Sequence, residues 1–147
     1  MTRGGKLVIG AVILVTVSVI PFPYLASPEW NVTVVDPVGR PMQGVTVRLS
    51  WENYSVENDS HEQDLTTDAQ GHVKFPQHID RAPFVRRIFF TACESMSLAH
   101  GGFGLHTFVF AFGDGLEGQA VTGNYETDWT GKPDHMESRI VINALRN

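Results

Sequence analysis

The chain has one cysteine, Cys93, in 147 residues. A single thiol closes no intramolecular bridge, so a disulfide scaffold is excluded and a packed core must hold the fold. No cysteine follows the first apolar run, which rules out a lipoprotein anchor there. Basic charge is also scarce: eleven Lys and Arg face sixteen Asp and Glu, for a formal net charge of −5. Nucleic acid requires a basic face, so it is disfavoured as a partner. Acid is absent from residues 1–28, which carry only Arg3 and Lys6, so all sixteen acids and the other nine bases fall in residues 29–147. Zinc-type Cys/His spacing is missing. Cys93 ends the apolar run 88–93 and reads as a buried, inert thiol.

Behind Arg3 and Lys6 runs LVIGAVILVTVSVI, residues 7–20, and the uncharged stretch continues to Pro28. A basic start followed by an apolar segment is the pattern of a secretory signal or a signal anchor. The strongly apolar part is short for a full span, for which ~20 residues are needed. Pro21 and Pro23 are placed to end the helix. Residues 1–28 are therefore expected to be an N-terminal hydrophobic helix, either retained as an anchor or cleaved. In both cases the remainder is placed outside the cytoplasm, membrane-anchored or secreted.

Residues 29–147 read as one domain of short strands between Gly, Pro, Asp and Asn punctuation. Strands are expected at 30–35, 45–51, 72–75, 86–93, 105–112, 119–125 and 139–144. The second alternates cleanly, with Val45, Val47, Leu49 and Trp51 on one face and Thr46, Arg48 and Ser50 on the other. Residues 52–64 are polar and are expected to form a solvated loop. A 3.6-residue period is not evident beyond residue 28. The expected fold class is all-β, a single β-sandwich of about seven strands.

Two segments carry a family resemblance: VVDPVGRPMQGVTVRL at 34–49 and LTTDAQGHVKF at 65–75. Strand, Asp-x-x-Gly-x-Pro-x-x-Gly, strand, then Thr-Asp-x-x-Gly-x-Val-x-Phe resembles the carboxypeptidase regulatory-like domain, a transthyretin-like (prealbumin-like, Ig-like) β-sandwich. The resemblance implies a module that is usually non-catalytic, with a structural or binding role beside an enzyme, a receptor or a surface anchor.

Enzymatic readings are weaker. Hydroxyisourate hydrolases resemble the chain in fold, but the first strand has no histidine and the C-terminus reads Ala144-Leu145-Arg146-Asn147 instead of Tyr-Arg-Gly-Ser. Intradiol dioxygenases bind iron through two tyrosines and two histidines on a related sandwich, and Tyr24, Tyr54 and Tyr125 are too scattered to match. Residues 113–118 satisfy Gly-x-Gly-x-x-Gly, but no helical pattern follows, so a strand–strand loop is expected instead of a dinucleotide site. The sequons at Asn31, Asn53 and Asn58 are chance matches.

The resulting expectation is a membrane-tethered or exported module with no catalytic residue, metal or cofactor. Its partners are the membrane, through the N-terminal segment, and a protein or glycan. Trp129 and Tyr125, near Asp128 and Asp134, mark either an exposed ligand-binding loop or a cap on the core. The competing expectation is a small hydrolase or metal-dependent enzyme on the same fold. That would require several of His61, His72, His78, His100, His106 and His135 to converge with acids around one pocket.

Overall fold

The computed structural model describes residues 3–96, 103–113, 116–121 and 128–144. The described residues are mostly β, with two helices among them. Helix α1 (Arg3–Val19) takes up the apolar run and stops before Pro21, because a residue preceding proline is driven out of helical geometry. The strands follow as β1 (Pro21–Ser27), β2 (Glu29–Val35), β3 (Thr46–Asn53), β4 (His61–Thr66), β5 (His72–Phe75) and β6 (His78–Pro83). Helix α2 (Phe84–Met96) comes next, then β7 (Leu105–Gly113), β8 (Leu116–Val121), β9 (Asp128–Trp129) and β10 (His135–Ala144).

Eight strands form one sheet in the order β4-β3-β7-β8-β10-β2-β5, with β9 paired to β7. The pairing is antiparallel except between β10 and β2, where His135–Val141 runs parallel to Glu29–Val35. The sheet wraps around a shared core in sandwich-like fashion. Trp30, Val32 and Val34 of β2 meet Val47 and Leu49 of β3, Phe75 of β5, Val109 of β7, and Ile140 and Ile142 of β10 there. Period-2 alternation explains the selection, because each strand turns every second side chain inward. The one polar group in this row of β10, Ser138, accepts a hydrogen bond from Trp30 Nε1 at 2.8 Å, so the indole N–H is satisfied inside the core. On the outward side of β7, Phe108, Phe110 and Phe112 form a half-buried aromatic ladder, and the Arg48 guanidinium lies 5.3 Å from the Phe112 ring centre.

The two family-like segments lock onto each other. Asp36 Oδ1 accepts the N–H groups of Val38 and Arg40, and Asp68 Oδ1 accepts those of Gln70 and His72. Each aspartate thus closes its own turn. Thr67 joins the two turns: its buried hydroxyl donates to Met42 O at 2.7 Å and accepts from Val45 N at 3.0 Å. Val34 N donates to Gly71 O at 2.8 Å, and a β-carbon on Gly71 would come within 2.5 Å of Val34 O.

Four expectations are corrected. Residues 84–96 are helical where a strand over 86–93 was expected: Ile88, Phe90 and Ala92 alternate as in a strand, but Phe84, Val85, Ile88, Phe89, Ala92 and Met96 also recur at helical spacing. Residues 61–64 belong to an edge strand where a loop was expected. There Arg48 of β3 holds Asp64 through two hydrogen bonds and pairs with Glu62, so the acids line a ladder. Residues 21–27, grouped by sequence with the N-terminal segment, pair with β6, so the folded body begins near residue 21. Cys93 is exposed, because it lies on α2 and not on a core strand. The described strands also outnumber the seven expected. By contrast, Gly113 and Leu116 pair between antiparallel β7 and β8, so the glycine-rich string does join strands.

Gly71 and Gly44 both have positive φ, at 74° and 76°, but nothing lies within 4 Å of a β-carbon built on Gly44. Gly44→Ala is expected to cost about 1 kcal/mol, the conformational penalty alone. Gly71→Ala is expected to cost about 3 kcal/mol because backbone must also move. Urea denaturation of the two variants measures the difference.

Candidate functional site

Of the residues singled out in the sequence, Trp129 belongs to the core. Trp129 is 1% exposed and packs among the core residues, as the cap alternative of the sequence reading expects for this side chain. Its Nε1 donates to Pro133 O at 2.6 Å, and its backbone pairs with Thr107. Asp134 is exposed, and its carbonyl accepts from Glu29 N. Asp128 pairs with Phe108 through the backbone. Tyr125 lies outside the described residues.

Two other places carry chemistry. The first is a groove of about 630 Å³ on the outward face of β2, β5 and β10. The alternation that sends Trp30, Val32 and Val34 inward turns Asn31 and Thr33 outward, beside His72 and Lys74 of β5 and Glu137 and Arg139 of β10. The Asp36 and Asp68 turns supply Gly39, Pro41, Asp68 and Gln70 at one end. Near the other end, Glu29 accepts from Lys74 Nζ at 2.8 Å and lies 3.2 Å from His135 Nδ1. The Lys74 hydrogen bond is the main reason that the Glu29 carboxyl is held below its ordinary range.

The second place is the mouth of the core. Trp51 continues the inward row of β3, and the imidazoles of His61 and His78 both stack on its indole, with ring centres 5.5 and 4.5 Å away. His61 Nε2 is 3.3 Å from Glu57, and His78 Nε2 is 3.0 Å from Gln63 Oε1. The buried Trp51 Nε1 has no hydrogen-bond partner among the described residues. A cavity of about 180 Å³ beside His61 is lined by Tyr24, Glu57, Asp80, Arg81 and Arg86. Burial, then the charges of Glu57 and Asp80, push the Tyr24 phenol up, while the Arg87 guanidinium lies 4.9 Å from its ring centre. Tyr54 is pushed up to about 12, mainly by its hydrogen bond to Glu52 and then by burial.

Of the six histidines, His61 and His78 are thus brought together. His72 lines the outer groove, His106 tilts against Phe108, His135 joins Glu29, and His100 lies outside the described residues. Among the described residues no group of three or more His, Cys, Asp or Glu side chains is placed to hold a metal ion. The sequence reading missed this cluster because His61 and Gln63 occupy half-buried positions of a strand whose polar residues read as loop. The available signal was the alternation His61, Gln63, Leu65 against Glu62, Asp64, Thr66.

Because the folded pKa of Glu29 is depressed, its contribution to stability is full above the ordinary carboxylate range and is lost as pH falls through the lower folded value. Lys74→Met is expected to move the Glu29 titration midpoint upward, toward the ordinary value. Carboxyl chemical shifts followed by NMR across acid pH report that movement directly.

No family model and no curated protein matches the chain. Among solved structures it is similar to the crystal structure of 3-chlorocatechol 1,2-dioxygenase from Rhodococcus opacus 1CP, at a TM-score of 0.46 and 15% identity. The match covers 83% of this chain and spans about 61% of that one.

Proposed function

We propose that this chain is a membrane-tethered, non-catalytic β-sandwich module of the carboxypeptidase regulatory-like kind. In this reading the body stands outside the cytoplasm and offers the outer groove of β2, β5 and β10 to a protein or glycan. One observation carries the tether: none of the residues of α1 is buried against the body, and Leu7, Leu14 and Val15 are 74%, 69% and 65% exposed. An apolar helix of this composition is not stable facing water, so its surface needs a non-aqueous surrounding.

The length of α1 sets how it sits. Among the described residues no helix is long and apolar enough to cross a membrane. Seventeen helical residues rise about 26 Å, a few ångströms short of the ~30 Å hydrocarbon layer. Exposed Ile20 and Phe22 extend the apolar stretch past the helix end. Arg3 and Lys6 favour a cytoplasmic N-terminus. The turn chemistry of Asp36, Thr67, Asp68 and Gly71 supports the finer fold reading, because the residues that carry the family resemblance are those that clasp the strands.

A second reading, a small enzyme, is favoured by one observation: His61, Glu57, Asp80 and Tyr24 surround the cavity beside Trp51. Its discriminator is a small-molecule turnover abolished by His61→Ala and by His78→Ala.

Flotation on phospholipid vesicles tests the tether. The full chain is expected to rise with the vesicles. Val12→Arg combined with Val15→Arg, at positions 59% and 65% exposed, is expected to leave it in the dense fraction, since each arginine near a helix centre costs about 2.5–3.5 kcal/mol of insertion. A wild-type chain that stays dense overturns the proposal.

A further inference from the structure

Helix α2 is amphipathic in the reverse sense. A surface helix ordinarily turns its apolar stripe to the core and its polar side to water. In α2 the half-buried positions are Arg87, Phe90 and Glu94, one stripe at spacings of three and four. Arg87 on that stripe lies over Tyr24 of β1. The opposite side carries Phe84, Val85, Ile88, Phe89 and Met96, which are 53%, 48%, 55%, 62% and 80% exposed. The helix buries none of its side chains fully.

This outward apolar face is not isolated. Helix α1 packs beside α2, and α2 also touches β6. Phe22 of β1 and Ile79 of β6 are 46% and 58% exposed on the ribbon that joins the two helices to the body. The charge pattern changes at the same place. Residues 29–147 are acidic as a whole, yet between Asp80 and Glu94 the chain carries Arg81, Arg86 and Arg87 and no acid. Arg81 and Arg86 are exposed at the rim of the cavity beside His61, and the Arg86 guanidinium lies 5.6 Å from the Phe90 ring centre.

We infer that α2 is a second membrane contact. Its Phe84–Ile88–Phe89–Met96 face lies in the headgroup–acyl boundary of an anionic bilayer, with Arg81 and Arg86 reaching lipid phosphates. The inference rests on the proposed tether by α1 and adds to it. An apolar face beside an apolar helix, edged by arginines in an otherwise acidic body, is the composition of an interfacial amphipathic helix. A single helical anchor leaves the body free to swivel, whereas a second contact fixes one side of the sheet to the membrane. The outer groove on β2, β5 and β10 is then held in a constant orientation.

Cys93, the chain's single cysteine, is exposed on α2 and takes a reporter without further mutation. The full chain, labelled there with an environment-sensitive nitrobenzoxadiazole dye, is mixed with phosphatidylcholine vesicles with and without phosphatidylglycerol. A blue shift that needs phosphatidylglycerol, with quenching by nitroxide placed high on the acyl chain, is the expected result. Ile88→Glu combined with Phe89→Glu, at exposed positions, should abolish the shift while flotation persists. Arg81→Gln with Arg86→Gln should remove the dependence on anionic lipid. An unshifted, unquenched dye on protein that floats overturns the inference and leaves the tether standing. Protein that does not float overturns both. A blue shift without vesicles that grows with protein concentration assigns the face to a second copy and also overturns it.

Discussion

The clasp between the two aspartate turns is the constraint on which the rest of the fold depends. Strands β3 and β4 lie at one end of the sheet order and β2 and β5 at the other, and the turn between β4 and β5 crosses the opening between them. Thr67 at the end of β4 is bonded to Met42 and Val45 ahead of β3, while Gly71 at the entry to β5 is bonded to Val34 of β2. Without that crossing the inward rows of the two halves would not face a common interior. Trp30, Leu49, Phe75 and Ile140 are buried together because of it.

The same closed body explains where polar and apolar groups appear on its outside. Once alternate residues of β2, β5 and β10 are committed to the core, Asn31, Thr33, Lys74 and Arg139 have only the outer face left, and the groove follows. At the core's mouth the ribbon of β1 and β6 covers one end, with Ala26 and Ala82 buried and Thr107 Oγ1 donating to Ala26 O at 3.2 Å. That ribbon also connects the body to α1 and α2 without a linker.

Much of the β framework was legible in the sequence, for identifiable reasons. Strands β2, β3, β5 and β7 have strong period-2 apolar rows bounded by Gly, Pro or Asp, and local pattern suffices for them. The aspartate turns were legible because their chemistry is local, each carboxylate bonding backbone two and four residues on. Strand β4 was not, because its acids are made tolerable by Arg48, sixteen residues upstream of Asp64. The cap formed by Trp129 was only half legible: an aromatic among glycines and aspartates signals either a surface or a lid, and its pairing with Thr107 makes it a lid.

By itself the sequence determined the apolar N-terminal run, the acidic body, the turn positions and which residues are available for a core, since each follows from side-chain type and short-range spacing. The tertiary structure decided three further matters. It chose helix over strand for residues 84–96, where short apolar runs satisfy both periods. It brought His61 and His78 onto Trp51, since strand pairing and the β6 ribbon close that distance and no local spacing encodes it. It also turned the apolar face of α2 away from the body, because the direction of an amphipathic helix depends on what packs against it.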